Sequence, residues 1–132
     1  PEQAAGTGAD ARSDVYSLGA VCYEMMAGIP PFRGENVVEV IHAVLEREPA
    51  PLSAHAVGLP RDLETIVATA MAKRAGARYA TAQAMADDLG RFLDGQPIQA
   101  RRSGAIERAG AAVRAHQRTL VQARGQAFAG RD

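Results

Sequence analysis

The segment from Asp14 to Met26 constrains the fold more than any other part of the chain. Its large apolar residues recur with a helical period, and only Asp14, Ser17 and Glu24 are overtly polar. Ser13 is the expected N-cap, and Gly28, which is followed by two nearby prolines, is the expected end. A helix that is apolar on nearly all sides is usually buried inside a larger structure. We therefore expect this segment to be the organising core helix.

Two helices are predicted after it. Residues 36–46 are rich in valine, which favours strands, but their apolar spacing is helical over three turns. After a loop that begins at Pro49, Pro60 suits a helix start, and an amphipathic face runs from Leu63 to Met71. Lys73 would then lie at the negative end of that helix dipole.

A last helix is predicted to begin at Thr81, whose hydroxyl can cap it, and to end before Gly95. Asp87 and Asp88 are expected to point outward from this helix. Its expected apolar face comprises Met85, Leu89, Phe92 and Leu93. The predicted fold class is therefore mainly α.

Charge divides the chain into two parts, although the formal net charge is zero. Residues 1–98 hold 8 basic and 13 acidic residues, whereas residues 99–132 hold 7 basic and 2 acidic residues. The tail lacks a regular alternation of aromatic and basic side chains, and the acidic body would repel a polyanion. A nucleic-acid partner is therefore not predicted.

The residues offer no catalytic or metal-binding constellation by themselves. His42, His55 and His116 lack metal-ligand spacing with one another and with Cys22, so no metal site is predicted. One cysteine cannot form an intramolecular disulfide, and the N-terminus does not resemble a signal peptide. We therefore expect a cytoplasmic location.

The order of several motifs resembles a known family. Pro1-Glu2 looks like the end of an A-P-E element, and DVYSLG at residues 14–19 looks like the start of that family's central helix. PPF at residues 30–32, AMAK at 70–73 and Arg78-Tyr79 follow in the same order, and TAQAMADDL follows at 81–89. Residues 1–98 thus resemble the C-terminal part of the catalytic domain of bacterial serine/threonine protein kinases.

The resemblance implies an incomplete domain. It predicts the helical C-lobe portion of the protein-kinase-like fold, without the N-lobe and the catalytic loop. Because the sequence starts inside a motif and without Met, we expect further sequence before Pro1 in the full protein. Residues 99–132 would form a basic, Arg-rich linker, with a juxtamembrane segment as the alternative.

Three framework residues follow from the resemblance. Asp14 would hold the backbone of the catalytic loop, and Glu2 would form an ion pair with Arg78. Without the resemblance, the simpler interpretation of the two acids is an N-cap for Asp14 and a solvated surface charge for Glu2. No catalytic residue is expected in this chain.

The residues that bind nucleotide in this family are absent from the sequence. No H-R-D or D-F-G motif occurs, and Lys73 is the single lysine. ATP and Mg²⁺ are therefore implied for the complete kinase, whereas this chain alone is expected to bind neither and to be inactive. A non-catalytic helical interaction module descended from a kinase remains the alternative function.

The resemblance also implies partners. Protein substrates would dock on the helix at residues 36–46 and its flanking loops, and the remainder of the kinase domain would cover the platform. Through its basic tail the chain would approach a membrane surface as the cytoplasmic part of a membrane-anchored kinase.

Overall fold

A computed structural model describes residue 1 and residues 10–101, so the predictions for Glu2 and residues 102–132 lie outside the described residues. The described chain forms helices α1 (Ala11–Ala27), α2 (Val37–Glu46), α3 (Arg61–Ala70) and α4 (Ala82–Leu93). Short 3₁₀ turns lie at Leu52–Ala54 and Ala75–Ala77, and these residues contain no strand. The mainly α prediction is confirmed.

Helix α1 begins earlier than predicted, because Asp10 rather than Ser13 is its N-cap. The Asp10 carboxylate accepts hydrogen bonds from the backbone N–H groups of Arg12 at 2.8 Å and Ser13 at 3.3 Å. The Ser13 hydroxyl in turn accepts from the Asp10 N–H at 3.3 Å, which completes a capping box. Ser13 is thus the third residue of the helix. It completes the capping box from that position and is not the N-cap that was predicted.

Helices α1 and α3 pack closely because α1 carries a glycine at the contact. A Cβ atom on Gly19 would lie 2.8 Å from Ala70 Cβ and 2.9 Å from Met71 Cγ. Val15 and Ile66 are fully buried beside this contact. A side chain at position 19 would push the two helices apart. Gly19 therefore allows α1 and α3 to pack at a short distance.

Helix α1 is the central helix of the described chain, as expected, but one of its sides is exposed. Leu18, Val21 and Met25 are 44%, 56% and 79% exposed. The elements that pack against α1 are α3, α4 and the turn at Leu52–Ala54, and they cover its other side. One apolar stripe of the helix is therefore left open.

Helix α4 is capped as predicted but faces the core differently. The Thr81 hydroxyl oxygen accepts from the Ala84 N–H at 3.1 Å. Asp88 was expected outside and is fully buried, whereas Leu93 was expected inside and is 81% exposed. Asp88 lies three residues after the buried Met85, so the helical period places both on the inner face.

Helix α2 is less closely packed than the other helices. It begins where predicted, because the Asn36 side chain accepts from the Glu39 N–H at 2.9 Å. It packs far less against α1, α3 and α4 than they do against one another. Ala43 is its one buried residue. Among the residues described, no helix is long and apolar enough to cross a membrane.

Candidate functional site

Arg78 is a charged residue with several backbone partners, and it is only 5% exposed. Its Nε donates to the Ala72 carbonyl at 2.7 Å, and its Nη2 donates to the Lys73 carbonyl at 3.1 Å. Its Nη1 donates to the Arg12 carbonyl at 3.0 Å. The guanidinium carbon also lies 5.0 Å from the centre of the Tyr16 ring, a cation–π distance.

These contacts join two parts of the fold. Arg12 lies in the first turn of α1, and Ala72 and Lys73 lie just after α3. Arg78 therefore fixes the start of α1 against the α3–α4 connection. The predicted ion pair of Arg78 with Glu2 stays a prediction, because Glu2 lies outside the described residues.

Asp14 lies two residues beyond Arg12 and is exposed. Leu18, Val21 and Met25 follow it at spacings of four, seven and eleven residues, so all four lie along one side of the helix. The structure therefore places a carboxylate at the N-terminal end of the open apolar stripe. Asp14 is not the N-cap, since Asp10 has that role.

Lys73 lies between aromatic rings from two parts of the chain. Its ammonium group is 4.3 Å from the centre of the Phe32 ring and 5.8 Å from the centre of the Tyr16 ring. It donates a hydrogen bond to the Val44 carbonyl in the last turn of α2. Burial lowers the pKa of Lys73, an effect that Glu48 opposes and Arg78 reinforces. Lys73 therefore serves the end of α2 rather than the end of α3, where its position in the sequence suggested it would act.

A cleft of about 490 Å³ lies beside Lys73. Its walls come from Tyr23, the segment 48–52, one side of α3 and the residues that follow α3. The charged residues that line it are Glu48, Glu64, Lys73, Arg74 and Arg101. Because both signs of charge are present, the cleft has no strong preference for one class of ion.

Asp88 forms a second polar cluster that sequence reasoning missed. Its carboxylate accepts from the Tyr79 hydroxyl and Arg91 Nη1, both at 2.8 Å. It also accepts from the backbone N–H groups of Gln99 at 2.7 Å and Ala100 at 2.9 Å. The chain after α4 is thus bonded to the body as far as Ala100.

The pKa values of this cluster reflect these bonds. Burial acts to raise the pKa of Asp88, but the hydrogen bonds from Gln99, Ala100, Tyr79 and Arg91 outweigh it, and the pKa is lowered. The pKa of Tyr79 is raised, first by burial and then by its hydrogen bond to the Asp88 carboxylate. Asp88 thus stays ionised, and Tyr79 stays protonated.

Within residues 10–101, no three His, Cys, Asp or Glu residues are grouped so that they could hold a metal ion. Lys73, the single lysine of the sequence, lies near the Phe32 and Tyr16 rings and donates a hydrogen bond to the Val44 carbonyl.

The sequence of the chain is similar to those of known proteins. No protein-family model matches the chain. The serine/threonine-protein kinase PknB of Mycobacterium tuberculosis is 48% identical over 100 residues, which are 76% of this chain and 16% of that protein. PknB of Mycobacterium leprae is 47% identical over the same length. The probable PknB of Corynebacterium glutamicum is 45% identical over 96 residues.

The chain belongs to the bacterial serine/threonine protein kinases. It spans about a sixth of the length of these curated kinases. With its all-helical described residues, it corresponds to a helical C-lobe portion of the kinase fold, as the resemblance predicted. The polar clusters at Arg78 and Asp88 both lie within the part of the chain that the structure describes.

Proposed function

We propose that this chain is the helical platform of a serine/threonine protein kinase that transfers the γ-phosphate of ATP to Ser or Thr of protein substrates. The observation that carries the proposal is the open stripe of α1, which begins at Asp14 and continues through Leu18, Val21 and Met25. An apolar stripe next to a carboxylate suits a partner with both apolar side chains and free backbone N–H groups. The catalytic loop of a kinase has that character.

Asp14 would act as a positioning residue. Its carboxylate would accept hydrogen bonds from backbone N–H groups of the catalytic loop and so fix the loop relative to α1. Such bonds to an ionised acceptor are stronger than those between neutral groups. The Arg78 contact with Arg12 supports this role, because it holds the first turn of α1 in place.

Nucleotide and metal would be held by the rest of the kinase. The residues of this chain do not fit ATP or Mg²⁺ in the family manner, since no H-R-D or D-F-G motif occurs and the single lysine is bound to Val44. The chain alone is therefore proposed to be inactive. Its partners would be the remainder of the kinase domain and protein substrates.

Helix α2 would be the surface on which protein substrates dock. Val37 and Val38 are 73% and 75% exposed, and Ile41 and Leu45 continue the apolar surface along the helix. Exposed apolar patches of this kind commonly mark protein-binding sites.

A hybrid kinase tests the proposal. The matching 100-residue segment of the M. tuberculosis relative is replaced by the corresponding segment of this chain, and phosphate transfer from ATP to a protein substrate is measured. We expect activity from the hybrid and none from the chain alone. A hybrid that folds, as shown by a cooperative melting curve, but transfers no phosphate would contradict the proposal.

A non-catalytic interaction module is the second candidate. The exposed apolar surface of α2 favours it, because this surface could bind a protein without any phosphate transfer. Reading the codons before Pro1 in the same frame separates the two. An H-R-D and a D-F-G motif there would support the kinase, whereas a stop codon followed by a start would support the module.

The basic tail is proposed to approach a membrane surface as part of a cytoplasmic, membrane-anchored kinase. Seven arginines in residues 99–132 provide the attraction to anionic lipids. A peptide of residues 101–124 should bind anionic vesicles and dissociate when salt is added. Binding that salt does not change, or no binding, would argue against this role.

A further inference from the structure

Helix α2 is attached to the body by few apolar contacts, chiefly those of Ala43 and Val44. It packs little against the other helices, and its surface away from Ala43 is largely exposed. Its last turn contains no basic residue to complement the negative end of the helix dipole. The last carbonyl groups of any helix also lack partners within the helix. A cationic donor from outside α2 can therefore stabilise its C-terminal end.

Lys73 provides what α2 lacks. From the segment after α3 it places a cation at the C-terminal end of α2 and donates a hydrogen bond to the Val44 carbonyl. The same ammonium lies over Phe32, which precedes α2, and near Tyr16 of α1. One side chain thus contacts the segments before and at the end of α2 and also the central helix.

We propose that Lys73 is the positioning residue that holds the docking helix α2 at a fixed place on the kinase body. The proposal rests on the docking role proposed for α2. Since other packing of α2 is sparse, losing this cation should loosen α2 before it loosens the core. Lys73 would then act on protein substrates through α2 and not by contact with the reacting groups.

Placing the charged Lys73 ammonium at this site has an electrostatic cost. Burial and the nearby Arg78 disfavour the charged form of Lys73 and lower its pKa, and Glu48 opposes them. The ammonium is therefore held by the aromatic rings and the Val44 carbonyl against a desolvation penalty. Such a link is specific in geometry and limited in strength.

Amide hydrogen exchange on the 132-residue chain tests the attachment. Lys73→Met keeps the length of the side chain and removes its charge, whereas Lys73→Arg keeps the charge. Arg74→Met is the matched control, since Arg74 is the exposed neighbour. In Lys73→Met, the amides of residues 40–47 should exchange about tenfold faster, while those of α3 and α4 stay unchanged. Lys73→Arg should restore most of the protection, and Arg74→Met should match the wild type.

Two exchange results would overturn the proposal. One is unchanged exchange in α2 of Lys73→Met, and the other is an equal acceleration in all four helices, which would mean a general loss of stability. Because this experiment does not depend on kinase activity, its failure is distinct from a failure of the proposed function.

The hybrid kinase tests the consequence for substrates. Lys73→Met should raise KM for a folded protein substrate several-fold while kcat, and KM for a short peptide that does not reach α2, stay unchanged. A fall in kcat for both substrates would overturn the positioning role. Altered exchange with unchanged KM would overturn the link to docking.

Discussion

The Nη1 atom of Arg78 donates a hydrogen bond of 3.0 Å to the carbonyl oxygen of Arg12, 66 residues away in the sequence. This bond joins the start of the central helix to the connection between the last two helices. Replacing Arg78 with Ala would leave the carbonyls of Arg12, Ala72 and Lys73 without this donor.

Arg78→Ala should therefore be strongly destabilising. We expect a loss of about 3 kcal/mol in the free energy of unfolding, because three partly buried carbonyls would lose a charged donor. Arg47→Ala is the control, since Arg47 is exposed after α2. Chemical denaturation of both variants is the measurement, and equal losses would contradict the framework role of Arg78.

Gly19→Ala should destabilise the contact between α1 and α3. The added methyl would lie 2.8 Å from Ala70 Cβ, and overpacking of this kind costs about 1–3 kcal/mol. Gly90→Ala is the matched control in α4, where a Cβ would meet nothing within 4 Å. It should stabilise the protein by about 0.5–1 kcal/mol, because Ala is the better helix former. The same sign of change in the melting temperatures of both variants would contradict this packing.

Thr81→Ala should cost about 1 kcal/mol through loss of the hydrogen bond to the Ala84 N–H. Thr81→Ser keeps the hydroxyl and should retain most of the stability. The melting temperatures of the two variants test the cap. If Ala and Ser behave alike, the hydroxyl does not cap α4.

Asp88 should make stability depend on pH in the acid range. Its pKa in the folded protein lies below the ordinary value of 3.8, so the unfolded chain takes up the proton first as pH falls. The stabilisation is then fully present well above pH 3.8 and is lost as pH falls through the lower folded pKa. Asp88→Asn should be less stable at neutral pH, and the difference from the wild type should shrink as the solution is acidified. Denaturation curves across this range check the sign, and a difference that grows with acidity would contradict it.

The sequence predicted those elements whose signals are local. Thr81 was predicted to cap α4 and does so, and Asn36, the first residue of the helix predicted at 36–46, caps α2. The start of α1 was misplaced because Asp10 and Ser13 are both good caps three residues apart, and together they form one capping box. The residue types alone do not show which of the two residues is the N-cap.

Contacts distant in sequence were harder to predict. Arg78 donates to backbone carbonyls, which every residue has. The sequence therefore does not show which residues Arg78 contacts. Asp88 was expected outside because it is charged, but the donors that stabilise it at Gln99 and Ala100 are backbone groups of the chain after α4. Its place one turn after Met85 on the apolar face was the signal that could have found it.

The most direct test of the account is the turnover of the hybrid kinase with Asp14→Asn, because the platform is proposed to fix the catalytic loop through this carboxylate. Asp62→Asn is the control, since Asp62 is an exposed acid in the first turn of α3. With both variants folded, Asp14→Asn should lower kcat about 100-fold, the effect of a small misplacement of catalytic groups, and Asp62→Asn should not. An Asp14→Asn hybrid that turns over as fast as the Asp62→Asn hybrid would contradict the account.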